Sequence, residues 1–388
     1  MKRWMIGMMV VSGAGLALAQ TSVPPAAVKN WTDTVTVKGD LRYRYESIMD
    51  DSKKDSNGDT ITRERNRIRA RLGAEAKPAD DLKVGVELST GQSDPVSGNQ
   101  TEGDGFMKKD MKLNLAYLEW SALPSDNANE AKFTAGKMKN PFINVSDLIW
   151  DGDLTPEGVA FKGQMGSEKV TLLGNAGYLW VKERSAENDD SMLYAGQGAV
   201  KIQFVPEVSL LAGVSYYAYD NMVGYDVIDW ENNKNAYGNS TMKGSVSGST
   251  TNKAYKYDYT PIEYFTELNI WAGIPISLYG QMVSNDEVDD LNNGFLYGLT
   301  LGKAKNKGTF EVGYAYAKLE KDAVVGAFTD SDRWGGGTDG NSHKIQARYQ
   351  ITKNLQVGAT YFTGEKLISD DTKTADYDRL QVDLVAAF

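Results

Sequence analysis

The residues whose spacing could do chemistry are Arg63-Glu64-Arg65-Asn66-Arg67-Ile68-Arg69-Ala70-Arg71. Arginine recurs at every second position, and from Ile68 the intervening residues turn apolar, through Ala70, Leu72 and Ala74. A guanidinium is permanently charged and presents a planar fork of donors, so a column of them can bind, orient or steer anions. A period of two is the strand period and would put the charges on one face and apolar side chains on the other. Arg63, Arg67 and Arg71 also share one stripe of an amphipathic helix, so locally both readings stand. As a strand, the stretch suits a soluble sandwich with the arginines in solvent, or a membrane barrel with them in a water-filled lumen.

Other chemistry has little support. There is no cysteine, and the single histidine, His343, begins a strand beside a long loop with no diagnostic acid near it. A nucleophilic Ser-His or Cys-His site and His/Cys metal ligation are therefore not expected, so no catalytic residue, metal or cofactor is assigned. Asp55-Ser56-Asn57-Gly58-Asp59 starts like a calcium loop. Its glycine falls at the fourth position, however, and Asn66 stands where a bidentate Glu is needed. It reads as a solvated loop tip, with weak surface calcium as the alternative.

The ends and the charge narrow the class. Lys2-Arg3, an apolar stretch from Met5 to Leu18 and Ala17-Leu18-Ala19 predict a signal peptide over residues 1–19, cleaved before Gln20. Residues 20–32 form a Pro-containing lead, and 33–388 a single domain. No later stretch approaches ~20 uninterrupted apolar residues, so a helical inner-membrane protein is not expected. The net charge is −10, and more negative without Lys2 and Arg3, which argues against nucleic acid as a partner.

The elements that would position the arginines follow one pattern. Thr34 to Glu46 alternates Val35, Val37, Leu41, Tyr43 and Tyr45 with Thr36, Lys38, Asp40, Arg42 and Arg44. After the arginine stretch, Lys77-Pro78-Ala79-Asp80-Asp81 makes a turn, and Leu82 to Leu88 alternates again. A turn between two alternating runs is a hairpin, which removes the helix reading. Further strands are expected at 111–120, 132–139, 157–165, 169–181, 192–204, 208–219, 261–272, 275–283, 294–304, 309–318, 343–351, 355–362 and 377–388. The segment 111–120 is apolar on both faces, and 157–165 could be loop. That makes about sixteen strands, joined alternately by short turns and long polar loops. The pattern predicts an all-β fold: a transmembrane antiparallel up-and-down β-barrel with short periplasmic turns and long extracellular loops. Aromatic residues cluster near strand ends, as interfacial girdles require.

A lipid-facing arginine near the midplane costs roughly 2–4 kcal/mol, so the column should face inward. Arg42 and Arg44 join Arg63, Arg65, Arg67, Arg69 and Arg71 on that wall, and Lys83 extends it. Like charges side by side need water, counter-ions or opposing carboxylates.

The mature chain resembles a Gram-negative outer-membrane general porin and is similar to the putative porin group. The residues carrying this are Gly136-Lys137-Met138-Lys139-Asn140-Pro141-Phe142, Leu148-Ile149-Trp150-Asp151-Gly152-Asp153-Leu154-Thr155-Pro156-Glu157-Gly158 and an alternating last strand ending in Phe388. The resemblance implies that Phe388 is an insertion signal read by the barrel-insertion machinery; otherwise it ends a half-buried edge strand. It also implies that loop 140–157 folds into the lumen, setting Asp147, Asp151, Asp153 and Glu157 against the basic wall as a constriction. In the alternative, the loop caps the mouth outside and the arginines pair with wall carboxylates such as Glu87. The expected function is passive diffusion of small hydrophilic solutes and ions through a water-filled channel. The expected surroundings are outer-membrane lipid and lipopolysaccharide, and porins of this size imply a homotrimer. Two alternatives are a substrate-selective channel for phosphate or carboxylates and a non-conducting scaffold or surface-binding barrel. A barrel enzyme is a third, which lacks a His-centred site.

Overall fold

The computed structural model describes residues 31–123, 129–185, 189–230, 235–244 and 253–388. The expected signal peptide and nearly all of the lead lie outside the described residues. Sixteen antiparallel strands close into a barrel. They are β1 (Thr36–Lys54), β2 (Thr60–Ala79), β3 (Leu82–Thr90), β4 (Met111–Ser121), β5 (Glu130–Lys137), β6 (Glu157–Gly166), β7 (Val170–Lys182) and β8 (Ser191–Val205). The second half comprises β9 (Val208–Asp220), β10 (Pro261–Trp271), β11 (Pro275–Asn285), β12 (Asn293–Gly302), β13 (Phe310–Leu319), β14 (Gly340–Gln350), β15 (Leu355–Lys366) and β16 (Ala375–Ala387). Each strand pairs with its sequence neighbours, and β16 pairs with β1 from Ala387↔Asp40 to Tyr377↔Asp50. Closure leaves no free edge among these sixteen strands.

Every segment expected to be a strand is one, including Glu157–Gly166. The double-faced apolar character of β4 has a local cause. The ladder between β3 and β4 shifts register between Glu87 and Leu88. Leu113 and Leu118 are exposed on the outside while Leu115 is buried inside. A bulge changes which parity faces out, so both faces of the sequence read as apolar.

The outer surface is a band of apolar side chains, among them Leu41, Leu72, Leu118, Leu172, Leu278, Val312, Ile345, Val382 and Leu384. Aromatic clusters rim it. Tyr178, Trp180 and Tyr194 pack together towards the long-loop rim, and Trp120, Phe133 and Phe161 towards the short-turn rim. An apolar belt of this extent around a closed barrel is suited to lipid. His343 belongs to this surface: its Nδ1 lies 2.8 Å from Tyr314 Oη, and its ring packs on Tyr316.

The loops on the long side are L1 (55–59), L2 (91–110), L3 (138–156), L4 (183–190), L5 (221–260), L6 (286–292), L7 (320–339) and L8 (367–374). L3 and L7 fold into the barrel. Their apolar residues Phe142, Leu148, Trp150, Leu154, Val324, Val325 and Trp334 join Tyr217, Tyr219 and Leu296 of the wall and Tyr255 and Tyr259 of L5 in one core. At the root of L3, Gly136 and Gly158 pair across β5 and β6 with φ of 116° and 152°. A Cβ there would lie 2.2 Å from the Ala116 carbonyl oxygen or 2.3 Å from that of Tyr178, so only glycine fits.

Candidate functional site

The arginines stand on the inner face because strand parity is kept across the hairpin. The register sets Arg71 opposite Asp40, Arg69 opposite Arg42, Arg67 opposite Arg44 and Arg65 opposite Glu46. Two of these four cross-strand pairs are like-charged, which destabilises a sheet unless carboxylates intervene. They do. Asp40 takes Arg69 at 3.0 Å and Arg71 at 2.7 Å. Glu46, fully buried, binds Arg65 and Arg379 closely and lies 3.8 Å from Arg67. Asp383 on β16 holds Arg44 through two bonds of 2.7 and 2.8 Å.

Three loops then land on this column. L2 supplies Asn99, whose Oδ1 accepts from Arg42 Nη2 at 2.6 Å and whose carbonyl accepts from Arg67 Nη2 at 3.3 Å. L3 supplies Asp153, 3.1 Å from Arg69 and 3.7 Å from Arg71. L7 supplies Asp332, 2.8 Å from Arg379 and 3.5 Å from Arg44. The loops also hold one another. Gly98 N–H donates to Asp153 Oδ2, Ser331 Oγ–H to the Val96 carbonyl and Ser331 N–H to Asp151 Oδ2. Trp150 stacks on Phe328.

The remaining expected residues lie elsewhere. Arg63 is exposed, nearer the long-loop rim. Lys83 pairs with Glu119 at 2.8 Å near the short-turn rim and does not join the column. Asp147 faces away from the column, binding Arg333 at 3.0 Å and Lys344 on β14. Asp151 fastens L3 to L7. Glu157, at the foot of β6, pairs with Lys137 at 2.9 Å. Of the four expected loop acids, Asp153 alone meets the arginine column. Glu87 accepts from Asn114. Phe388 is exposed, and its backbone exchanges two 3.0 Å hydrogen bonds with Gly39 at the seam.

Sequence reasoning missed Asp332, Arg333, Arg379, Asp383 and Asn99. Arg379 and Asp383 could have been found from alternation, since they share one face of the last strand. Asn99, Asp332 and Arg333 sit in loops without periodicity and leave no such signal.

Loop carboxyls in this layer differ in their hold on a proton. The Arg333 and Lys344 cations keep Asp147 well below the usual carboxylate range despite burial. Burial, with the charges of Asp147 and Asp332, pushes Asp330 up to about 7. Asp151 is raised by burial and by Asp330 and Asp153. Arg379 and Arg44 hold Asp332 low.

A cavity of about 930 Å³ lies beside L3, lined by that loop and by wall residues towards the short-turn rim. Its lining includes the cations Lys38, Arg71, Lys303 and Arg348 and the carboxylates Asp40, Glu267 and Glu311. The chamber has charged groups of both signs on its walls. Among the described residues there is no cluster of three or more His, Cys, Asp or Glu side chains able to hold a metal ion.

Comparisons with known proteins agree with this architecture. A family described as putative porin matches residues 56–244 and 250–388. OprB of Pseudomonas putida, solved at high pH, superposes with a TM-score of 0.57 at 12% identity, over 92% of this chain and 95% of that one. OmpF of Salmonella typhi, solved in complex with daunomycin, gives a TM-score of 0.53 at 11% identity, over 92% and 99%. A comparison with curated protein sequences finds no match.

Proposed function

The chain belongs to the putative porin family, and from that premise we propose that it is a water-filled channel of a Gram-negative outer membrane, passing small hydrophilic solutes and ions by diffusion. The observation that carries this reading is the charged layer inside the barrel. On one wall stand the arginines of β1, β2 and β16, met by Asp153 of L3 and Asp332 of L7. Cations and carboxylates held in a narrow, partly desolvated passage set up a strong local field. Such a field orients dipolar solutes and tunes the passage of ions.

The expected constriction takes a modified form in this proposal. The wall's own Asp40, Glu46 and Asp383 neutralise much of the column, and L7 shares with L3 the part first given to L3 alone. Asp147 serves the opposite side, against Arg333 and Lys344. Further parts of the proposal are an exported precursor, insertion guided by Phe388, long loops outward against lipopolysaccharide, and a homotrimer.

The test is single-channel conductance in a planar bilayer, with the reversal potential read under a KCl gradient. Ohmic conductance with weak selectivity is expected. Correctly folded protein that carries no current would overturn the proposal and leave a scaffold or surface-binding barrel.

A further inference from the structure

The column holds more positive than negative charge. Its guanidiniums are Arg42, Arg44, Arg65, Arg67, Arg69, Arg71 and Arg379, and the carboxylates bound to them are Asp40, Glu46, Asp153, Asp332 and Asp383. The surplus falls on two residues. Among the described residues, Arg42 has no carboxylate within ion-pair distance, and Arg67 has only Glu46 Oε2 at 3.8 Å, an oxygen already bound by Arg65 on a carboxylate that Arg379 also shares. Both also keep a buried Nε–H without an acceptor among the described residues.

What touches both is neutral. Asn99 gives one oxygen to Arg42 (its Oδ1) and one to Arg67 (its carbonyl), at 2.6 and 3.3 Å. Two oxygens of one residue, each receiving a guanidinium N–H, reproduce the contacts of a carboxylate or phosphate without its charge. Among the described residues, the side chain is held otherwise only by Ser97 Oγ at 3.3 Å.

We propose that Arg42 and Arg67 form an oxyanion subsite within the channel, and that Asn99 is its displaceable neutral cap. The ligand class is a small oxyanion, either a carboxylate or a phosphate. This rests on the channel reading above and adds to it a saturable site for one class of solute. An anion there offsets one of the two surplus charges as a carboxylate, or both as a doubly charged phosphate, and supplies acceptors for donors that otherwise lack them. Asn99 makes the site reversible, since a fixed carboxylate in its place would fill it permanently.

The experiment adds inorganic phosphate, and in a parallel arm acetate, to channels conducting KCl. Wild-type chloride current should fall and saturate with the added anion. The half-blocking concentration should rise about tenfold or more in Arg42→Gln and Arg67→Gln, the scale of one lost charge-assisted hydrogen bond. Asn99→Asp should abolish the block, and Asn99→Ala should strengthen it. Block by both anions assigns a general oxyanion site; block by phosphate alone assigns a tetrahedral one. A second readout does not need current: phosphate should raise the thermal unfolding midpoint of detergent-solubilised wild-type protein but not of Asn99→Asp. Chloride current and unfolding midpoint both indifferent to either anion would overturn the subsite while leaving a conducting channel intact. A midpoint that rises in protein that carries no current would keep the subsite and remove the channel.

Discussion

Arg379 Nε donates to Glu46 Oε1 at 2.9 Å across the seam where the last strand meets the first, and that carboxylate is wholly buried. The same carboxylate holds Arg65 from the other side, so one side chain links three consecutive strands, β16, β1 and β2.

Glu46→Gln should therefore be the most damaging single change in the wall. It leaves Arg65 and Arg379 without their shared carboxylate, and breaking a buried pair costs about 3–5 kcal/mol. The measurement is the thermal unfolding midpoint in detergent, which should drop clearly. An unchanged midpoint would mean that water carries these charges and the pair contributes little.

Asp332→Asn removes the one L7 carboxylate on the column. Arg44 keeps Asp383 and Arg379 keeps Glu46, so the fold should hold while the layer gains positive charge. Under a KCl gradient the reversal potential should move towards that of chloride. A shift towards potassium, or none, would place Asp332 away from the ion path.

Trp150→Ala tests whether L3 and L7 move together. Trp150 packs on Phe142, Tyr217 and Phe328, and deleting a buried aromatic side chain costs about 3–5 kcal/mol. The loops should loosen without loss of the barrel, seen as larger and noisier single-channel currents and faster protease cleavage within L3 or L7. Wild-type current noise and cleavage would count against a packed clasp.

The clasp should also weaken as pH rises. Asp330 is raised from 3.8 to about 7, so between these values the folded state holds a proton that the unfolded state has lost. Stability then falls with increasing pH across that window and levels off above it. Asp151, raised in the same direction, adds to the effect. Protease cleavage within L7 should be slower near pH 5 than near pH 8, and Asp330→Asn should flatten the difference. Equal cleavage at both values in the wild type would refute a stabilising proton on Asp330.

The barrel was legible because alternation and loop length are local properties. Leu82 to Leu88, or Ile345 to Ile351, announce their strands without reference to any other residue. That the alternate arginines share one face was legible for the same reason. By that parity Asp40 and Glu46 share the face of Arg42 and Arg44, and Arg379 and Asp383 share one face of β16, so part of the neutralising set was open to the same reading. The landing points of the loops were not. Asp147 meets Arg333 and Lys344 across 186 and 197 residues of chain, and Asn99 reaches Arg42 across 57. Those contacts depend on how far each loop dips into the barrel, which the apolar packing of Trp150, Phe328 and Trp334 decides and no repeat in the sequence encodes.

The seam has a consequence for the order in which the charged layer can assemble. The column is drawn from β16, β1 and β2, which come together only when the sheet closes. Until β16 zips against β1, Arg44 lacks Asp383, Glu46 lacks Arg379, and Asp332 has only half of its landing place. L7 therefore cannot seat fully on an unclosed sheet. Narrowing of the lumen by L7 is therefore expected to follow closure of the seam rather than precede it.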